Sequence, residues 1–224
     1  MAEKLVVFDL DGTLLDTLED IRGAINYALS PWCVPALEKN KIREYVGHGL
    51  KNALFTALEH SGKKVPEEDL PLMVDLMLSA YRNHPSDHTK PYSGVTEMLK
   101  RIKDIGAKIG VISNKSQDLV VKIISDVLPS IGFDFIIGQS DAYPLKPNPE
   151  SLLDMMDKFS ADKTSTLYIG DSEVDYETAK NAGVNCIIVN YGFRTKEDLE
   201  KKGIKESVGS VPIVLEIIEN YFSS

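Results

Sequence analysis

Asp9 and Asp11 stand two residues apart at the end of an apolar run, Leu5-Val6-Val7-Phe8, and are followed by Gly12 and Thr13. Two carboxylates at such a place suggest chemistry with a hard metal ion. If the chain is still extended at both acids, the period of two in a strand turns both carboxylates to the same side. Gly12 permits the sharp turn that ends the strand. A calcium-loop reading fails, because placing Gly12 at the sixth loop position puts Val7 first and Leu18 last, where acidic ligands are required.

Further polar groups follow at three more places. Ser113-Asn114-Lys115 comes after an apolar run and before a helical pattern, where a hydroxyl, an amide and free N–H groups suit a phosphate oxygen. Helix capping by Ser113 or Ser116 is the plainer alternative. In Lys146-Pro147-Asn148-Pro149 the prolines stiffen a loop that could hold one lysine inward, and a solvated lysine is the alternative. Gly170-Asp171-Ser172-Glu173-Val174-Asp175 follows Leu167-Tyr168-Ile169, with Asp175 near one turn into the next helix. An N-capping aspartate with a helix-face acid would also explain it. Acids gathered at one edge repel each other unless a cation lies between them, and oxygen ligands suit Mg2+.

The elements that position these groups are legible in the apolar pattern. Leu5 to Phe8 reads as a strand buried on both faces, as in parallel sheets. From about Asp16 to Arg82 only helices are expected: one to about Ser30, one after His48, and one from near Pro66. His84 to Ser93 reads as a linker, with Pro85 and Pro91. Beyond Gly94, helices and strands alternate, with strands at Ala107–Ile112, Phe133–Ile137, Thr166–Ile169 and Asn185–Val189. This succession predicts an α/β fold with a doubly wound, Rossmann-like parallel sheet. The helical block interrupts it after the first strand, so residues 1–15 and 91–224 are expected to form the core and residues 16–90 an inserted helical cap.

In the stated order, Asp9-x-Asp11-Gly12-Thr13, Ser113, Lys146 and Gly170-Asp171-x-x-x-Asp175 resemble the four motifs of the haloacid dehalogenase superfamily over essentially the whole chain. Asp11 resembles the phosphatase and mutase branches, since the dehalogenases themselves lack an acid there. The helical insertion, Asp16-Thr17 and Tyr45-Val46-Gly47-His48-Gly49 resemble the phosphoglycolate phosphatase-like group. The resemblance implies a Mg2+-dependent phosphomonoesterase acting on a small molecule, phosphoglycolate being favoured. It implies Asp9 as nucleophile and Asp11 as general acid and base. Asp9, Asp171 and the Asp11 carbonyl would hold the metal, with Asp175 supporting from behind. Ser113, the Asn114 amide and Lys146 would hold phosphoryl oxygens. Gly47, His48 and Gly49 are the cap loop offered to substrate, although His48 could equally be a turn residue capping the next helix. Arg194 is either a receiver for a substrate carboxylate or a solvated arginine. A sugar-phosphate mutase similar to β-phosphoglucomutase shares these motifs, and a non-catalytic regulatory or binding module is the alternative outside enzymology.

The bulk composition is that of an ordinary globular protein. The chain has 224 residues, 43% hydrophobic and 26% charged, with a formal net charge of -9. That charge disfavours nucleic acid and anionic membranes as partners. No apolar run approaches the about 20 residues of a membrane span, and Met-Ala-Glu-Lys lacks the apolar core of a signal peptide. A cytoplasmic location is expected. Cys33 and Cys186 lack metal-ligand spacing, and Cys186 is expected to be a buried free thiol. Oligomeric state is left open.

Overall fold

A computed structural model describes residues 2–223. The chain divides into two compact units, Met1–Asp16 with Pro91–Ser224, and Thr17–Lys90. In chain order the elements are β1 (Leu5–Phe8), β2 (Leu15–Asp16), α1 (Leu18–Leu29), α2 (Lys39–Tyr45), α3 (Leu50–His60), α4 (Leu70–Asn83) and β3 (Lys90–Pro91). There follow α5 (Val95–Asp104), β4 (Lys108–Ser116), α6 (Gln117–Val127), β5 (Phe135–Gln139), α7 (Glu150–Lys158) and β6 (Thr166–Gly170). The chain closes with α8 (Glu173–Ala182), β7 (Asn185–Ile188), α9 (Lys196–Lys201) and α10 (Val211–Ser223).

The first unit is an α/β fold on a five-stranded parallel sheet in the order β5-β4-β1-β6-β7. Every side chain of β1 is fully buried, the consequence of a continuous apolar run covered on both faces. Leu5, Val7 and Tyr168 join Leu152, Met155 and Met156 of α7 and Ala179 and Ala182 of α8 in one core cluster. The strand order reverses direction at β1, whose neighbours β4 and β6 lead on to opposite halves of the sheet. A crevice beyond the carboxyl ends is expected at that switch point. Pairing in step aligns Phe8 with Val111 on one side and with Ile169 on the other. The residues that follow these strand positions therefore reach the same edge.

The second unit is helical, with α1 packed on α4 and α2 on α3. Met73 and Met77 of α4 are fully buried, which fits a core role. Asp20 in the first turn of α1 is buried and accepts hydrogen bonds from the His88 and Thr89 amides and from Thr89 Oγ1, at 2.6–3.1 Å. This acid pins the returning segment to the helix start. Tyr45 stacks edge-on with His60 and their Oη and Nδ1 atoms lie 3.0 Å apart.

Several local expectations need correction. Helix α2 is an addition to the three helices expected in this block: only Ile42 and Tyr45 of its seven residues are buried, too few to produce a visible apolar stripe. Glu67–Asp69 is a short 3-10 turn, and the regular helix starts at Leu70. The linker contains β3, which pairs with β2 in a separate two-stranded sheet. The strand expected at Phe133–Ile137 runs Phe135–Gln139 instead. Cys186 is free but only partly buried, and it packs against two core clusters. Among the described residues no helix is long and apolar enough to cross a membrane.

Candidate active site

Asp9 leaves β1 still bound to the sheet, its amide donating to the Ile169 carbonyl at 2.9 Å. The chain then turns sharply: the Leu14 and Leu15 amides both donate to the Leu10 carbonyl at 3.0 Å. Gly12 has φ +87°, and a Cβ there would strike the Asp171 carboxylate. The glycine thus serves the turn and leaves room for an acid from another strand. Thr13 is fully buried, and its Oγ1 has no hydrogen-bond partner.

The Ser113 segment does not cap a helix. Strand β4 continues through it to Ser116, with a register shift against β5 between Ile112 and Ser116. Helix α6 begins at Gln117, and Ser116, at the cap position, makes no side-chain cap bond. Ser113 Oγ accepts from the Lys115 amide at 3.2 Å. The capping alternative therefore falls away. The Asn114 side chain grips Lys146 from both ends: Nδ2 donates to the Lys146 carbonyl at 3.1 Å, and Oδ1 accepts from the Lys146 amide at 2.8 Å.

Lys146 is buried, which removes the solvated reading. Its Nζ donates to Asp9 Oδ1 and Asp175 Oδ1, each at 2.7 Å, and lies 3.3 Å from Tyr168 Oη. Although burial alone would depress an ammonium, the carboxylates of Asp175 and Asp9 hold Lys146 well above its usual range. The Lys146–Pro147 peptide bond is cis.

Asp171 follows β6 and is buried, with Oδ2 accepting from the Phe193 amide at 2.6 Å. It does not cap α8; Ser172 does, in a reciprocal capping box with Asp175. Asp175 Oδ2 accepts from Ser172, while Oδ1 faces Lys146 and Tyr168. Gly192 lets the loop after β7 approach, because a Cβ there would meet the Gly12 carbonyl and Asp171.

Oxygens of Asp9, Asp171 and Asp175 all lie within 4.8 Å of one another. Burial, with the charges of Asp175 and Asp11 adding to it, lifts the Asp9 carboxyl to about 7 against the pull of Lys146. Burial, then Asp175 and Asp9, lifts Asp171 well above the carboxylate range. Buried acids so crowded are costly as anions, and a hard cation with oxygen ligands would relieve them. The donor set fits a divalent metal.

Two members were given no role of their own from sequence. Tyr168, fully buried in β6, contacts Lys146 and Asp175; a tyrosine inside an apolar strand needs a partner for its hydroxyl, and that was the available signal. Lys115, whose side chain is 2% exposed, forms an ion pair with Asp11 at 2.5 Å. No local pattern announces that pair. Arg194 is largely buried and contacts Glu173 Oε2 at 3.4 Å, which removes the solvated reading. Gly47 and Gly49 both have positive φ, 123° and 88°. Gly49 occupies the cap position of α3, so His48 is not the capping residue; it lies exposed in the helical unit.

The profile of the haloacid dehalogenase-like hydrolase family matches residues 6–189. The chain belongs to that family. A phosphoglycolate phosphatase of Caulobacter vibrioides is 33% identical over 198 residues, covering 88% of this chain and 83% of its own. A crystal structure from Lactobacillus delbrueckii subsp. bulgaricus superposes with a TM-score of 0.89 at 27% identity, over 97% of this chain and 99% of the other. That of a predicted phosphoglycolate phosphatase from Haemophilus somnus gives 0.85 at 25% identity, over 96% and 97%. The family is one of hydrolases, and the phosphoglycolate phosphatases among the relatives set the enzyme class as phosphomonoester hydrolase.

Proposed function

We propose that the chain is a Mg2+-dependent phosphatase of small phosphomonoesters, phosphoglycolate foremost, working through an aspartyl-phosphate on Asp9. The observation that carries this reading is the 2.7 Å contact between Asp9 and the buried Lys146 inside a cluster of acids. Asp9 attacks phosphorus, a bond forms from its carboxylate oxygen, and the bond to the ester oxygen breaks. Asp11 gives its proton to the departing alkoxide, then takes one from the water that cleaves the aspartyl-phosphate. Ser113, the Asn114 amide and Lys146 hold the phosphoryl oxygens, on which negative charge is spread in the transition state. Asp9, Asp171 and the Asp11 carbonyl would hold Mg2+, which when bound supplies the positive charge that lets an acidic site receive a phosphate. Asp175 holds Lys146 in place. The helical unit of residues 16–90 serves as the lid, with Gly47, His48 and Gly49 as its substrate loop. The phosphoglycolate preference rests on the named relatives.

The test is phosphate release across phosphoglycolate, sugar phosphates, nucleoside monophosphates and pyrophosphate, with and without Mg2+. Release that needs Mg2+ and disappears in Asp9→Asn supports the reading. Turnover retained in Asp9→Asn removes Asp9 as nucleophile. Isomer conversion that needs a bisphosphate primer, with little free phosphate, would make the enzyme a mutase.

A further inference from the structure

Lys115 is unused by the chemistry above, yet its ammonium is buried at the sheet edge beside Asp11. A buried ammonium costs free energy unless it is matched by anions, so a long cationic side chain placed here calls for a reason. We infer that Lys115 receives a carboxylate on the leaving group, and so selects phosphate esters of short 2-hydroxy acids. This rests on the phosphatase reading of Asp9 and Asp11.

Geometry supports the assignment. Asp11 must come within a hydrogen bond of the ester oxygen in order to protonate it, about 2.6–3.2 Å. Lys115 Nζ lies 2.5 Å from Oδ1 of the same carboxyl group. The ester oxygen and the ammonium therefore sit on two sides of one carboxyl group, roughly 5–6 Å apart. A carboxylate one carbon from the ester oxygen extends about 3 Å from it, which leaves one charge-assisted hydrogen bond to the ammonium. Each lysine carries three donors, so Lys115 can contact Asp11 and a substrate carboxylate together. Lys146 faces Asp9, Asp175 and Tyr168, and Arg194 faces Glu173.

The experiment compares kcat/KM for phosphoglycolate with that for ethyl phosphate, which has a methyl group in place of the carboxylate, and with the phosphate ester of 3-hydroxypropionate. Wild type, Lys115→Met, Lys115→Gln and Lys115→Arg are assayed, with circular dichroism to verify folding. Losing a hydrogen bond to a charged group should cut the preference for phosphoglycolate over ethyl phosphate by about 10- to 100-fold in Lys115→Met and Lys115→Gln. Lys115→Arg should keep more of it, and the longer ester should be the poorer acid substrate of wild type. Equal slowing of both two-carbon esters would show that Lys115 serves Asp11 alone and would overturn the inference. Wild type that prefers ethyl phosphate overturns the inference while the phosphatase reading stands. Wild type that releases phosphate from no ester removes both.

Discussion

Asn114 and Lys146, 32 residues apart, are joined by two hydrogen bonds between one side chain and one backbone, a donor and an acceptor on each. The amide side chain completes for Lys146 the pairing that a neighbouring strand would otherwise give, in a loop where the flanking prolines rule out regular structure. Asn114→Ala removes both bonds and leaves buried backbone groups unpaired. The loss should be about 1–3 kcal/mol of stability in urea denaturation. It should be accompanied by a fall in kcat/KM that persists where the variant is fully folded, because Nζ of Lys146 is then no longer held against Asp9.

Tyr168 also meets the same lysine, its hydroxyl 3.3 Å from Lys146 Nζ. Tyr168→Phe keeps the ring in its core cluster and deletes only the hydroxyl that faces Lys146 and Asp175. Stability should change by about 0.5–1.5 kcal/mol. If Tyr168 positions Lys146, kcat falls more than KM rises; unchanged kinetics would reduce the hydroxyl to a packing detail.

The raised carboxyl of Asp9 has a consequence for the metal-free protein. Between its ordinary value of 3.8 and about 7, native Asp9 keeps a proton that the unfolded chain has released. The native state then binds more protons, so this contribution to stability is present at low pH and is lost as pH rises through that window. Asp171, shifted in the same direction, adds to the trend. Metal binding needs those acids deprotonated. The rise in melting temperature on adding Mg2+ should therefore grow between about pH 5 and about pH 8. A shift of equal size at both ends would count against Asp9 and Asp171 as ligands.

Gly192 gives a sharper test of how the acid cluster is built. A methyl group there would meet the Gly12 carbonyl and the Asp171 carboxylate. Gly192→Ala should destabilise by about 1–3 kcal/mol through overpacking. It should also weaken Mg2+ affinity measured by calorimetry, since the Phe193 amide and Asp171 can no longer keep their 2.6 Å contact. Unaltered affinity would separate the loop from the metal site.

What could be read from the chain and what could not follows from range. The apolar runs of β1, β4, β6 and β7 and the polar groups just beyond them are local signals, and the parallel architecture follows from their alternation with helices. The Lys115–Asp11 pair spans 104 residues, and the Tyr168–Lys146 contact spans 22. No period or spacing encodes such partners; the tertiary fold brings them together, through the sheet and through the Asn114 grip on the Lys146 loop. Helix α2 escaped notice for the opposite reason, a local pattern too short and too polar to register.

The central place of β1 also sets a temporal order. The strand that carries Asp9 is synthesised before its flanking strands, which come from residues 108–116 and 166–170, and Asp9 meets Lys146 across 137 residues. Contacts of such separation close late, because loop entropy must be overcome before they form. A nascent chain that stops short of β6 therefore has Asp9 but neither Asp171 nor Asp175. The cluster of crowded acids is complete only when these last two take their places beside the first strand.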